Sequence, residues 1–391
     1  MKSLYILINS PGEVSGWLKP AAKAICAAVQ NINITAVTLP CPYASGMEAE
    51  NAKRLQGVAR AITYKEALKE REYIHKSVLL QLGGDPLFGK LISAYLRAPW
   101  LIYTARPKWR RSVSHYFIPG DVAKRRFVAA NVDTSRYTVT GDLMLDSVPV
   151  RDDCDTDGFR REYKIGVRNI LCFMLGSRPF EYGKSLPFFT ACADALHKKF
   201  PDWQAIFPIA PTVDAKIIKD TALNAGLSID ESMNCITTKS GYKIPLIKTM
   251  QYDAISASSL AVAFPGTNNL QITALGVPLL SIAPLNYAHE IPLDGICGLI
   301  PLESSFMRAI KKKLVFYMNA KEKFVSLPNR LSDMEIVPER RELMSDESLV
   351  SYISEYIKDS NKRKNIADSY KYLNTEKGAA AKIAEYIAEI V

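Results

Sequence analysis

The chain has 391 residues, 48% of them hydrophobic and 23% charged, with a formal net charge of +10. That mass suits two cores of roughly 150–200 residues each, and the composition excludes a disordered, fibrous or disulfide-scaffold protein. Seven scattered cysteines, with no CxxC and no neighbouring histidine cluster, read as reduced thiols of a cytoplasmic protein. No stretch approaches the roughly 18 apolar residues of a spanning helix, and the apolar run at the start is too short for a signal peptide.

Apolar strands alternate with helical patterns, which predicts α/β units on parallel sheets. Leu4–Ile8 reads as the first strand, Gly12–Gly16 as its turn and Pro20–Val29 as a helix. Ile34–Leu39 and Ser77–Leu82 read as strands, the latter ending in Gly83-Gly84-Asp85-Pro86. Trp100–Tyr103, Tyr116–Ile118 and Tyr137–Val139 read as further short strands. The polar run Asp152–Gly158 predicts an interdomain linker. Asn169–Leu175, Ala205–Ile209, Leu260–Phe264 and Leu279–Ile282 read as strands of a second unit, with a helix at Ser185–Lys199. From Ser345 onward the pattern is helical, and residues 376–390 carry one apolar stripe. The expected organisation is therefore a first domain at 1–150, a linker at 151–165, a second domain at 166–345 and C-terminal helices at 346–391.

Charge is unevenly placed. Residues 1–150 hold 20 Lys/Arg and 11 Asp/Glu, whereas residues 151–391 hold 30 and 29. Between Arg97 and Arg126 lie eight basic residues and one acid, Asp121, with Trp100, Tyr103 and Trp109 interleaved. Such a mixture suits an anionic membrane surface, a phosphorylated substrate or a nucleic acid, or forms a solvated basic face. Ser305–Met318 is a second apolar segment with a basic strip. It fits an anionic bilayer or an amphipathic helix on the core.

Two stretches carry the chemistry. Phe173-Met-Leu-Gly-Ser-Arg-Pro-Phe-Glu181 and Phe264-Pro-Gly-Thr-Asn-Asn-Leu-Gln271 are each an apolar run that ends in Gly and small polar residues before a helix. That pattern sets backbone N–H groups and a helix N-terminus against phosphate. Arg178 suits bidentate recognition of a diphosphate and of the charge it carries on leaving; it equally suits a pair with Glu181. Gly266 lets backbone approach phosphate, and an amide at Gln271 suits a ribose hydroxyl. Glu13 and Asp85 each follow a first-domain strand, where two acids can supply a base for a hydroxyl nucleophile, or simply cap local structure. Asp153, Asp155, Asp157 and Gly158 imitate a calcium loop, but Lys164 occupies the position of its bidentate acid. His289-Glu290 is not a zinc motif, because Leu293 stands in the second histidine's place. No metal and no cofactor is expected beyond the donor substrate itself.

Together these stretches resemble lipid-A-disaccharide synthase, an inverting glycosyltransferase family of the two-domain B fold. Gly12-Glu-Val-Ser-Gly16 is similar to the family's Gly-Glu-x-Ser-Gly-Asp, and Gly141-Asp-Leu-Met-Leu-Asp146 to its Gly-His-Pro-Leu-x-Asp. Leu175-Gly-Ser-Arg178 with Glu181 and Pro187, Pro208-Ile-Ala-Pro211, Gly266-Thr267 with Leu270 and Pro278, and Leu327-Pro-Asn329 with Val337-Pro-Glu339 complete the series. Departures are Trp17 for Asp, Pro265 for Ser, Gln271 for Glu, and Gly83-Gly-Asp-Pro-Leu-Phe88 where the family has Asp-Ala-Pro-Asp-Phe-Asn. They resemble the divergent, synthase-related branch.

The resemblance implies two Rossmann-like domains facing a cleft, with the last helix crossing back to the first. It implies UDP-sugar binding by Gly176, Ser177, Arg178, Glu181, Gly266, Thr267, Asn268 and Gln271, and acceptor binding by Gly12, Ser15, Gly16, Arg106, Arg110 and Asn329. Asp85, Glu13 and Arg178 are the implied catalytic residues. The implied partners are a UDP-activated acylated sugar, a phosphorylated glycolipid and an anionic inner-membrane surface; nucleic acid is not among them, and the family suggests a homodimer. A different acceptor, a non-catalytic nucleotide-sugar or lipid binder, and a UDP-N-acetylglucosamine 2-epimerase are the alternatives.

Overall fold

The computed structural model describes residues 2–40, 46–69, 77–176, 179–211, 213–230, 232–286 and 305–391. Two compact units form, Met1–Ser147 with Asn374–Val391, and Val148–Leu373.

The first unit is built on seven strands: β1 (Lys2–Ile8), β2 (Ile32–Thr38), β3 (Val58–Thr63), β4 (Ser77–Gln81), β5 (Trp100–Tyr103), β6 (His115–Ile118) and β7 (Tyr137–Val139). Their order is β3-β2-β1-β4-β5-β6-β7, with every pair parallel. A parallel sheet is covered on both faces, so its central strands are apolar throughout. Leu4, Ile6, Leu7 and Ile8 of β1 are fully buried. β3 was not expected, since Val58-Ala-Arg-Ala-Ile-Thr63 is a half-exposed edge strand whose polar residues dilute the apolar signal. The stretch expected to be a turn at 12–16 is instead a short helix, Pro11–Glu13, running through a π-turn, Val14–Leu18, into the helix Lys19–Ala28. Gly16 lies beneath Met144, whose side chain fills the space a Cβ would need.

The second unit holds β8 (Asn169–Met174), β9 (Trp203–Pro208), β10 (Ser228–Asp230), β11 (Cys235–Thr237), β12 (Lys243–Ile247), β13 (Leu260–Ala263), β14 (Leu279–Ile282) and β15 (Glu339–Arg340). Their order is β10-β11-β12-β9-β8-β13-β14-β15, antiparallel only across β10, β11 and β12. The hairpin strands and β15 are two to five residues long, too short for periodicity to register. Both units are thus Rossmann-like, the architecture of a glycosyltransferase-B fold. Residues 151–165, expected to be a linker, are folded into the second unit: Thr156–Glu162 is a helix whose Phe159 is fully buried. Asp155 caps that helix through Gly158 N–H at 2.8 Å, so the calcium-loop imitation is a helix cap.

Helices Asp346–Lys358 and Ser360–Ser369 belong to the second unit, and the chain then returns to the first. The last helix, Ala379–Ile390, buries Ala379, Ala380, Ile383, Ala384 and Ile387 in the first unit's core. Its start is held by charge: the Asp146 carboxylate accepts from Gly378 N–H at 2.6 Å and Ala380 N–H at 2.7 Å. A carboxylate at a helix N-terminus meets both unsatisfied amides and the positive end of the dipole. Asp142 N–H donates to Glu376 O at 2.9 Å, and Gly141, at φ +94°, lets that carbonyl approach. Asp146→Ala is expected to destabilise the protein by about 1–3 kcal/mol in urea unfolding, with the far-ultraviolet spectrum otherwise retained; an unchanged midpoint would show that the cap contributes nothing.

Candidate functional site

In each sheet the strand order reverses beside its first strand, and ligands of open α/β sheets bind outside the carboxyl ends of the strands at that reversal. In the second unit the reversal lies between β8 and β13, which pair in parallel with Met174 opposite Ala263. Leu175-Gly176 and Phe264-Pro265-Gly266 therefore leave the sheet about 4.8 Å apart. The two sequence-predicted turns, ninety residues apart in the chain, are neighbours.

Each turn opens a helix. Gly176 sits at φ +100°, a left-handed conformation that favours glycine, and a Cβ there would fall on the Glu181 carboxylate. The helix Pro179–Lys199 is fixed behind it by two hydroxyls. Ser185 Oγ donates to Leu175 O at 2.7 Å, and Tyr182 Oη accepts from Ala210 N–H at 3.2 Å. Burial pushes the Tyr182 phenol up to about 12, so it stays protonated. Ser177 and Arg178 lie outside the described residues.

At the second turn Gly266 precedes the helix Thr267–Ala274, and its N–H donates to Asn269 Oδ1 at 2.6 Å. The first-turn amides of Thr267 and Asn268 have no intrahelical acceptor and point along the axis. Asn268 Oδ1 and Asn269 Nδ2 are buried with no hydrogen-bond partner. Buried orphans of this kind mark a place for a ligand or ordered water. Gln271 is occupied otherwise than expected: its Nε2 donates to Tyr252 Oη at 3.2 Å.

The first unit repeats the geometry between β1 and β4, where Leu7 pairs with Gln81. Glu13 follows β1; its Oε2 accepts from Asn9 N–H at 2.7 Å and its carboxylate presses on Gly83, where a side chain would not fit. Glu13 thereby joins the two loops of the reversal. Asp85 is exposed and N-caps the helix Pro86–Leu96, with Oδ1 accepting from Leu87 N–H at 2.9 Å. Both acids stand at one reversal, each also serving the local structure.

Gln81 was missed by sequence reasoning. It is 1% exposed, and its Nε2 donates to the carbonyls of Gly83, Gly84 and Asp85 at 2.9, 3.4 and 3.1 Å. One amide thus turns the carbonyls of the Asp85 loop inward. A lone glutamine in the otherwise apolar end of Ser77–Leu82 was the available signal.

Other expected acceptor residues divide. Gly12, Ser15 and Gly16 lie in the helix after β1, with Ser15 Oγ donating to Pro11 O at 3.2 Å. Arg106 is exposed in the segment after β5, and Arg110 donates to Ala130 O. Asn329 departs from the expectation: it belongs to the second unit, is fully buried, and its carboxamide bonds the backbone of Ile336 and Val337 at 2.7–2.8 Å. It is a core staple, because a buried amide must satisfy both its ends.

Trp17, the departure from the resembled motif, packs edge-on to Tyr103 with ring centroids 5.5 Å apart. Tyr103 Oη donates to Gly141 O at 3.5 Å and accepts from Leu143 N–H at 3.4 Å, beside Asp142, whose Oδ1 accepts from Met144 N–H at 2.8 Å. Burial pushes Asp142 up to about 6, opposed by the Met144 amide and the neighbouring Tyr103 hydroxyl, with the Asp146 charge adding to the rise. Burial likewise holds the Tyr103 phenol well above its ordinary range.

The chain is similar to known proteins in part of its sequence and in its fold. Residues 129–287 match the family model described as lipid-A-disaccharide synthetase. The chain is 25% identical over 237 residues to the lipid-A-disaccharide synthase of Rickettsia typhi, covering 60% of this chain and 52% of that one. It is 30% identical over 142 residues to that of Rhodospirillum centenum, covering 34% and 31%. The chain spans about half the length of the first of these relatives. Among solved structures, the Staphylococcus aureus MnaA–UDP co-structure superposes with TM-score 0.62 at 11% identity, covering 100% of this chain and 98% of that one. The Methanocaldococcus jannaschii UDP-GlcNAc 2-epimerase with UDP-GlcNAc and UDP superposes with TM-score 0.59 at 14% identity, covering both chains fully. At these identities the likeness is one of fold.

The raised Asp142 has a signed consequence. Its carboxyl binds a proton more tightly folded than unfolded, so its contribution to stability is present below about pH 4 and is lost as pH rises to about 6. Asp142→Asn keeps an acceptor for Met144 N–H and removes the charge. The variant is expected to be more stable than wild type above that window, by roughly 1–3 kcal/mol, with the difference shrinking below it. Denaturation curves across this range that stay parallel would contradict the assignment.

Proposed function

We propose, from the premise that the chain is a distant member of the lipid-A-disaccharide synthase family, that it is an inverting glycosyltransferase using a UDP-activated acylated sugar. The observation that carries this reading is the pairing of the Gly176 and Gly266 turns at the β8/β13 reversal. Two helix starts side by side suit a diphosphate, and Arg178 follows the first of them. The donor in this reading is UDP-2,3-diacylglucosamine and the acceptor 2,3-diacylglucosamine 1-phosphate, held by the basic first unit at the inner membrane face.

Asp85 takes the proton of the acceptor's 6-hydroxyl. The oxygen attacks the anomeric carbon as its bond to the diphosphate breaks, and UDP departs with the electron pair. Backbone amides and Arg178 meet that developing charge, so the reading calls for no metal. Glu13 and Gln81 hold the loop that presents Asp85. Among the described residues no helix is long and apolar enough to cross a membrane.

The 2-epimerase reading draws on the fold likeness alone. That chemistry needs acids around the donor sugar, whereas Thr267-Asn-Asn-Leu-Gln271 offers none.

The deciding assay follows UDP release from UDP-2,3-diacylglucosamine in detergent and EDTA, with and without the acceptor. Acceptor-dependent release with a disaccharide product is expected, and Arg178→Ala should weaken UDP binding at least about tenfold. Release without acceptor, or a UDP-GlcNAc solution epimerised by the protein alone, would replace this reading. UDP binding without any transfer would leave a binding protein.

A further inference from the structure

Three carbonyls that end two helices of the second unit converge on one side chain. Arg151 Nη1 donates to Leu275 O at 2.8 Å and to Gly276 O at 3.1 Å, just beyond the helix Thr267–Ala274. Its Nη2 donates to Ser256 O at 3.3 Å, at the end of the helix Gln251–Ser256. The last carbonyls of a helix have no partner within it, and a cation there also meets the negative end of the dipole. Gly276, at φ +67°, closes the first helix in a left-handed turn. Its N–H donates to Thr273 O at 2.9 Å, and Val277 N–H donates to Ile272 O at 3.2 Å. A Cβ on Gly276 would stand 3.1 Å from Arg151 Nη1, so the guanidinium rests directly on this turn.

The rest of the same segment grips the second helix. Asp155 N–H donates to Asp253 Oδ1 at 2.7 Å, and Arg160 Nη2 donates to Ala257 O at 3.4 Å. Tyr163 Oη accepts from Lys248 N–H and Thr249 N–H, each at 3.2 Å, in the loop before Gln251–Ser256. Between the two helices, Gln271 Nε2 donates to Tyr252 Oη at 3.2 Å. Residues 151–163 thus hold Gln251–Ser256 at both ends. That helix holds Thr267–Ala274 at its middle, and Arg151 holds its far end.

We propose that Arg151 is a positioning residue for the donor diphosphate: it fixes the far end of the helix whose start receives the phosphate. This rests on the glycosyltransferase reading, which sets the Thr267 and Asn268 amides against that diphosphate. The eight-residue helix is a rod about 12 Å long, so a shift at Gly276 is carried to Thr267. A hydrogen bond to phosphate is lost within roughly 0.6 Å of misplacement. Arg151 acts from the end of the helix away from the ligand, and its side chain is exposed. Its removal therefore leaves no cavity, and the effect falls on the phosphate half of the ligand.

The test titrates the full chain with UDP and with uridine, followed by ligand-observed NMR, in wild type, Arg151→Met and Arg151→Lys. Arg151→Met keeps an unbranched side chain and removes every donor. It is expected to weaken UDP binding at least about fivefold, the effect of one lost hydrogen bond, and to leave uridine, which has no phosphate, within about twofold. Arg151→Lys keeps the charge at both helix ends but not the fork that spans three carbonyls, so UDP should bind it at least about twofold more weakly than wild type. Asp146→Ala, which loosens a cap in the first unit, should lower the melting temperature with UDP affinity unchanged, so lost stability alone does not imitate the effect. An Arg151→Met protein that binds UDP as wild type does would overturn the proposal, and so would equal losses for UDP and uridine. Should Arg151→Met not fold, wild-type UDP affinity in Arg151→Lys would overturn it. A wild type with no affinity for UDP would overturn the donor-site reading and this inference with it, whereas wild-type affinity with an insensitive Arg151→Met overturns this inference alone.

Discussion

The reversal of strand order beside the first strand of each sheet is the constraint on which the rest depends. Right-handed crossovers place helices on opposite faces as the chain winds outward in both directions. The loops on either side of the reversal then have no helix packed between them. In the second unit that leaves Gly176 and Gly266 adjacent, each at a helix start. In the first it leaves the loops of Glu13 and Asp85 adjacent, joined by the contact of Glu13 with Gly83. These points lie at the carboxyl ends of the strands, where open α/β sheets bind their ligands.

Glycine and single polar side chains do most of the positioning. Gly176 permits a left-handed turn that a Cβ would block against Glu181. Gln81 gathers three carbonyls, and Asp146 caps the last helix. That cap matters beyond local stability, since it returns residues 374–391 to the first unit after 226 residues, 148 to 373, spent in the second. Asp142, next to it, is a buried carboxyl that faces Tyr103, and Tyr103 in turn backs Trp17. Trp17, one of the departures from the resembled motifs, and the acid at residue 142 therefore flank the same tyrosine.

Most of the parallel core was legible in the sequence because buried parallel strands are nearly continuous apolar runs; Trp100–Tyr103 and Leu279–Ile282 were bounded without error. The edge strand Val58–Thr63 and the short interior strand Lys243–Ile247 were not, since partly exposed strands mix polar residues into a short pattern. The helix Thr156–Glu162 was hidden behind a run of aspartates that look like a linker and act as caps. The two phosphate-type turns could be read from local residue types, but their adjacency could not. Motif position says nothing about burial, and in the fold the Asn329 amide is buried and bonded to Ile336 and Val337.

The central claim is that a nucleoside diphosphate lies across the β8/β13 reversal, and a crystal structure of the full chain grown with UDP tests it most directly. The account predicts diphosphate oxygens within hydrogen-bond distance of the amides at Gly176 and at the start of Thr267–Ala274, with the Arg178 guanidinium on the same group. Diphosphate bound elsewhere, or density absent at millimolar UDP, would contradict it.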